Sequence, residues 1–178
     1  PSPKPGEALI RHKAVGLNFI DVYFRTGLYK APSLPAIIGM EASGIVEAIG
    51  EGVTEVAVGD RVAYATGPIG AYAEARCLKA DRLVKVPDGI GFEQAAAMML
   101  QGMTAAFLIK KCYPVQPGQT VLVHAAAGGV GLIMSQWLKH LGCTVIGVVG
   151  TEEKAALAKA HGVAHTLLTT DDVPARVK

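Results

Sequence analysis

The chain has 178 residues, 51% of them hydrophobic, and its 17 basic and 15 acidic side chains leave a net charge of +2. That length can bury a real core in one or two domains, and the interspersed charges form no basic footprint for nucleic acid. The apolar runs are broken by glycines and by His124 before they reach the ~18 residues of a membrane span, and no basic start leads into an apolar leader, so neither a span nor a signal peptide is expected.

In chain order, residues 7–15 and 44–49 alternate apolar and polar side chains, and residues 61–65, 71–78 and 82–86 are further strand candidates. Gly50-Glu-Gly52 and Gly59-Asp60 punctuate them, and residues 18–25 break the pattern as a short helical stretch. Spacing of this kind predicts a small, partly open β-barrel, ended by Pro87-Asp-Gly89. Residues 92–99 and 104–112 then read as two helices, and Pro117-Gly118 turns the chain into the next strand. The chain is therefore expected to divide near residue 100, into a barrel over 1–100 and an α/β unit over 101–178. Cys77, Cys112 and Cys143 lie far apart in no C-x-x-C arrangement, as expected of reduced thiols in a cytoplasmic protein.

The α/β unit holds the most informative stretch. The apolar run 120–123 leads into His124-Ala-Ala-Ala-Gly-Gly-Val-Gly131, which opens the amphipathic segment 130–141. There Val130, Ile133, Met134, Trp137, Leu138 and Leu141 form the apolar stripe of a helix lying on a sheet. A strand, a glycine-rich turn and a helix are the setting in which backbone N–H groups and a helix dipole bind the pyrophosphate of a dinucleotide. Ala126, Gly128 and Gly131 take the three glycine positions of G-x-G-x-x-G, so the first is an alanine; Gly129 and Val130 complete the turn. Residues 143–149 read as the second strand. Where an NAD-binding unit places an acid at its end, this chain has Val149, Gly150 and Thr151, with Lys154 one turn on. Nothing there repels a 2′-phosphate, Lys154 can pair with it, and Glu152 and Glu153 suit the first turn of a helix and solvent. NADPH is the expected cofactor.

The barrel followed by Gln101-Gly-Met-Thr104 and by the glycine turn resembles the medium-chain dehydrogenase/reductase superfamily. Within it, Val15-Gly-Leu-Asn-Phe-Ile-Asp-Val-Tyr-Phe-Arg-Thr-Gly-Leu-Tyr29 and Gly39-Met-Glu-Ala-Ser-Gly44 are similar to the zinc-independent, zeta-crystallin-like quinone oxidoreductases. The resemblance runs along essentially the whole chain. It implies a GroES-like barrel, acting as the substrate domain, followed by the first half of a doubly wound Rossmann sheet. It also implies NADPH as hydride donor, a quinone acceptor in the cleft between the two, and assembly as a homodimer. Relatives begin before Pro1 and continue beyond Lys178, so the chain is expected to be a fragment that exposes a sheet edge.

The resemblance also sets the chain apart from zinc alcohol dehydrogenases. Where those carry a Cys ligand this chain has Asn18 or its neighbours, and where they carry Gly-His-Glu it has Gly39-Met40-Glu41. A Met thioether is a poor Zn²⁺ ligand, so no metal is expected. By the same resemblance Asn18, Tyr23 and Tyr29 line the acceptor site, with Asn18 and Tyr23 toward the nicotinamide, and Thr104 contacts the cofactor. Plainer roles stand beside these: Asn18 as a helix cap, the tyrosines as packing aromatics, Thr104 as a cap at a helix start. Asp21 is expected to be structural, and His124 a satisfied strand-end histidine. Where the subfamily often has Asn-Tyr beside the adenosine 2′-phosphate, the chain has Leu168-Thr169, so Thr169 can donate a hydrogen bond but offers no ring. Two further activities stay open: reduction of an enone C=C bond, with a tyrosine protonating the enolate, and NADPH binding without turnover.

Overall fold

The computed structural model describes residues 1–177 and divides into two compact units, Pro1–Leu100 and Gln101–Lys178. The first is built on five antiparallel strands: β1 (Glu7–Gly16), β2 (Glu41–Ile49), β3 (Arg61–Ala65), β4 (Ala75–Lys79) and β5 (Val84–Lys85), in spatial order β4-β1-β2-β3-β5. One helix, α1 (Phe19–Thr26), interrupts the run between β1 and β2. Alternation places Ala8 and Ile10 of β1, Val46 of β2, Val62 and Tyr64 of β3 and Leu78 of β4 in one core. The register of β1 on β2 ends at Gly16 opposite Glu41, and this pairing brings the β1–α1 junction against the start of β2. Gly16 is required there, because a Cβ would run into the Glu41 side chain.

Two strands are shorter than their patterns predict. The strand expected over 71–78 begins only at Ala75, because the N–H groups of Gly70 and Ala71 both donate to Gly39 O and that of Tyr72 to Ile38 O. These bonds fold residues 70–72 back on the segment before β2 and withdraw them from the ladder. The strand expected over 82–86 keeps only Val84 and Lys85, since Ala80–Arg82 forms a 3₁₀ turn closed by Leu83 N–H on Ala80 O. The two helices expected over 92–99 and 104–112 are one, α2 (Phe92–Phe107), followed by a π-helical turn at Leu108–Cys112. Gly102 lies inside α2: its cost of about 1 kcal/mol relative to Ala does not break a helix rich in Ala, Met and Leu.

The second unit is a parallel sheet in the order β6-β7-β8, with β6 (Thr120–His124), β7 (Thr144–Val149) and β8 (His165–Leu168). The crossovers are α3 (Gly129–His140) and α4 (Glu152–Ala160), and α5 (Val173–Arg176) follows β8. This is the first half of a doubly wound sheet, as expected. Val123, Val145 and Val149 pack with Leu138, Ala155 and Ala158 in its core. The innermost line of α3 differs from the predicted stripe. It runs Gly131, Ser135, Leu138, while Met134, Trp137 and Leu141 are only partly buried. Gly131 admits no side chain on that line, because a Cβ there would strike Ala125 O and the Ala126 backbone.

Candidate cofactor and acceptor site

The glycine turn is built by a left-handed residue that the motif does not predict. Ala125 has φ 50°, and Gly128 N–H donates to its carbonyl at 2.8 Å. The tight turn is thus made one residue before the position of the first motif glycine. Ala126 there is fully buried, its N–H on Val148 O at 3.2 Å. An alanine is tolerated because that position carries no positive φ. Gly131 behaves as the third glycine should: a Cβ would strike Ala125 O and the Ala126 backbone. Gly129 is held by Gln101, whose side-chain amide occupies the space of its missing Cβ.

Gly128 is the N-cap of α3 and provides no side-chain cap, so the N–H groups of Gly129, Val130 and Gly131 in the first turn are left for an anion. Beside this helix start lies a cavity of about 250 Å³, lined by Gly128, Gly150, Lys154 and Thr169 among the expected residues, and by His124 and Val149. Ala126, Gly129, Val130, Gly131 and Thr151 do not line it. Thr151 is instead the N-cap of α4, its hydroxyl oxygen accepting from Lys154 N–H at 3.3 Å. Glu152 and Glu153 are exposed and away from the cavity, which leaves Lys154 as the charge at its wall. His124 corrects an expectation. It is exposed at the cavity, and its ring makes no hydrogen bond among the described residues.

In the first unit Tyr23 and Tyr29 come together on α1 and the turn after it, and Asn18 stands at the N-cap of the same helix. The Tyr23 and Tyr29 rings meet edge-on with centroids 5.2 Å apart, flanked by Phe19 on Tyr23 and Phe24 on Tyr29. Tyr29 remains 46% exposed, so the pair is half packing cluster and half surface. Asn18 is the N-cap of α1, as its plainer role required, yet its side chain is turned to Glu41: Nδ2 donates to Glu41 Oε1 at 2.6 Å. Asp21 is structural. Its Oδ2 accepts from Asn18 N–H at 2.9 Å and from the Tyr72 hydroxyl at 2.7 Å, and its Oδ1 is buried with no hydrogen-bond partner among the described residues. The other Glu41 oxygen accepts from Leu100 N–H at 2.6 Å. Glu41 is wholly buried, and burial, with a smaller contribution from the charge of Asp21, raises its carboxyl above the usual range. Burial and the bond to Asp21 likewise push the Tyr72 phenol up. Thr104 is exposed in the middle of α2, not at a helix start.

Sequence reasoning missed Glu41 as the partner of Asn18, and Tyr72 as the partner of Asp21. The available signal was a glutamate leading the apolar strand Glu41-Ala-Ser-Gly-Ile45, where an exposed end would be the ordinary reading.

Comparison with known proteins places this geometry. Residues 4–88 match the alcohol dehydrogenase GroES-like domain and residues 129–178 the zinc-binding dehydrogenase family. A quinone oxidoreductase of Pseudomonas aeruginosa is 55% identical, the match covering 93% of this chain and 51% of that protein. The structure of Escherichia coli quinone oxidoreductase complexed with NADPH superposes with a TM-score of 0.97 at 45% identity, covering 100% of this chain and 55% of that one. The chain belongs to the quinone oxidoreductase family of medium-chain dehydrogenase/reductases. A 2-haloacrylate reductase of a Burkholderia species is 45% identical, over 93% of this chain and 51% of its own length. The chain spans about half the length of these relatives. In this member of the quinone oxidoreductase family the GroES-like unit is followed by the first part of the Rossmann-type sheet. Among its described residues, no group of three His, Cys, Asp or Glu side chains is placed to hold a metal. No helix is long and apolar enough to cross a membrane.

Proposed function

We propose that this chain carries the cofactor-binding turn and the acceptor-side polar residues of an NADPH-dependent quinone reductase that needs no metal. The observation that carries the reading is the cavity at the start of α3, walled by Lys154 and Thr169 and lined by neither neighbouring glutamate. Gly128 and the first-turn N–H groups of α3 would hold the pyrophosphate, and Lys154 and Thr169 the adenosine 2′-phosphate. When bound, NADPH supplies a hydride. A quinone spreads the added charge over a ring that becomes aromatic, so the protein needs neither a Lewis acid nor a strong general acid. Asn18, Tyr23 and Tyr29 would then orient the acceptor through an amide, two phenols and ring edges. The free thiols of Cys77, Cys112 and Cys143 support a reducing, cytoplasmic compartment.

Titration of this chain with NADPH and NADH, followed through Trp137 fluorescence, tests the assignment. NADPH should bind at least about tenfold more tightly, ~1.4 kcal/mol, the scale of one charge-assisted contact. Lys154→Ala should remove most of that preference while leaving NADH binding nearly unchanged. Equal binding of the two by the unaltered chain would sink it.

The likeness to 2-haloacrylate reductase favours one second reading, reduction of an activated C=C bond. That chemistry needs a proton on the product carbanion. Tyr23→Phe should then cost about a hundredfold or more in turnover of an enone substrate, the usual yield of general acid catalysis, and little with a quinone.

A further inference from the structure

The bond between Glu41 and Asn18 does more than tie the start of β2 to the cap of α1. Both Glu41 oxygens face N–H donors, the Asn18 amide and the Leu100 backbone, each at 2.6 Å. The Leu100 donor is fixed by α2 and cannot reverse. A carboxylate accepts both bonds; a glutamine presents its NH₂ to one of them, and a neutral carboxyl keeps only a weak hydroxyl acceptor on the oxygen that bears the hydrogen. The partner able to reverse is Asn18, whose amide turns over to offer its oxygen.

We propose that Glu41 is the positioning residue for Asn18: the ionised carboxylate holds the amide with its NH₂ group inward, and a proton on Glu41 turns the amide over and exchanges the group Asn18 presents. The inference rests on Asn18 belonging to the acceptor site, the reading given above. The titratable groups that face Glu41 are Asp21 on α1 and Tyr72 in the turn before β4. No Lys, Arg or His forms an ion pair with Glu41 among the described residues, so its charge is met by N–H donors alone. Burial raises the carboxyl and brings the exchange toward neutral pH.

Nuclear magnetic resonance on the whole 178-residue chain decides the matter without an activity assay. The Asn18 side-chain ¹H–¹⁵N pair should move with pH along the same midpoint as the Glu41 carboxyl ¹³C signal, above the ordinary glutamate value of about 4.3. In Glu41→Gln the pair should sit at the acid-form position at every pH. An Asn18 pair that ignores the Glu41 titration, or keeps its neutral-pH position in Glu41→Gln, overturns the proposal. If Glu41→Gln does not fold, the titration of the unaltered chain decides by itself. Coupled titration without quinone-dependent oxidation of NADPH would support the Glu41–Asn18 link and sink the quinone reading; uncoupled titration with good turnover would do the reverse.

Discussion

His12 sits between a carbonyl and a phenol. Its Nδ1 lies 2.6 Å from Ala73 O, so it carries the hydrogen, and Nε2 at 3.0 Å then accepts from the buried Tyr64 hydroxyl. Burial holds the ring below its usual pKa, helped by the charge of Arg76 and opposed by the bond to Ala73. The folded state thus prefers neutral His12. Its contribution to stability is complete above the unfolded value of about 6.5 and is lost as pH falls through the lower folded value. Glu41 has the opposite sign: its raised carboxyl favours the protonated form, so its contribution is complete in acid and lost as pH rises through the folded value. In thermal melts between pH 7.5 and 5 the two groups act with opposite signs, and His12→Leu removes the acid-destabilising one, so the variant should lose less stability on acidification than the unaltered chain. The same substitution should cost about 1–3 kcal/mol at pH 7.5 by leaving the Tyr64 hydroxyl unpaired. At this scale the plainer role of Asn18 as the cap of α1 was legible, because an Asn before a helical run is a common cap. Glu41 was not, since only the Gly16–Glu41 register, a relation between residues far apart in the chain, makes it an interior group.

At the level of elements, two glycines make a matched pair. A Cβ on Gly131 would meet the backbone of Ala125 and Ala126, which cannot yield without opening the phosphate turn. Gly102, inside α2, has nothing within 4 Å of a built Cβ. Gly131→Ala should therefore destabilise by about 1–3 kcal/mol, the cost of overpacking, and weaken NADPH binding. Gly102→Ala should stabilise by about 0.5–1 kcal/mol through lower unfolded-state entropy. Denaturant midpoints of the two variants check both signs. Elements set by their own period, such as β3 and α3, were read to within a residue or so. Those set by a distant carbonyl were not: β4 is short because Gly39 O captures two N–H groups, and the inner line of α3 starts at Gly131, where the Ala125 and Ala126 backbone leaves no room for a Cβ, which apolarity does not report.

For the whole molecule, composition and strand spacing were enough to indicate a barrel followed by a parallel α/β unit, because antiparallel runs and β-turn-α motifs differ in period and punctuation. The edges were harder, since which strand lies outermost depends on pairing and not on any one strand's residues. That pairing also governs when each unit can form. The parallel strands β6 and β7 meet across about two dozen residues, Thr120 on Thr144. The outer strand β4, by contrast, joins β1 across about seventy, Glu7 on Lys79. Search for the second contact is slower, because loop closure grows more costly with separation. During synthesis the first strand of the barrel must wait, half paired, until the segment around Lys79 has left the ribosome, whereas each crossover of the nucleotide-binding sheet can close almost as soon as it is made.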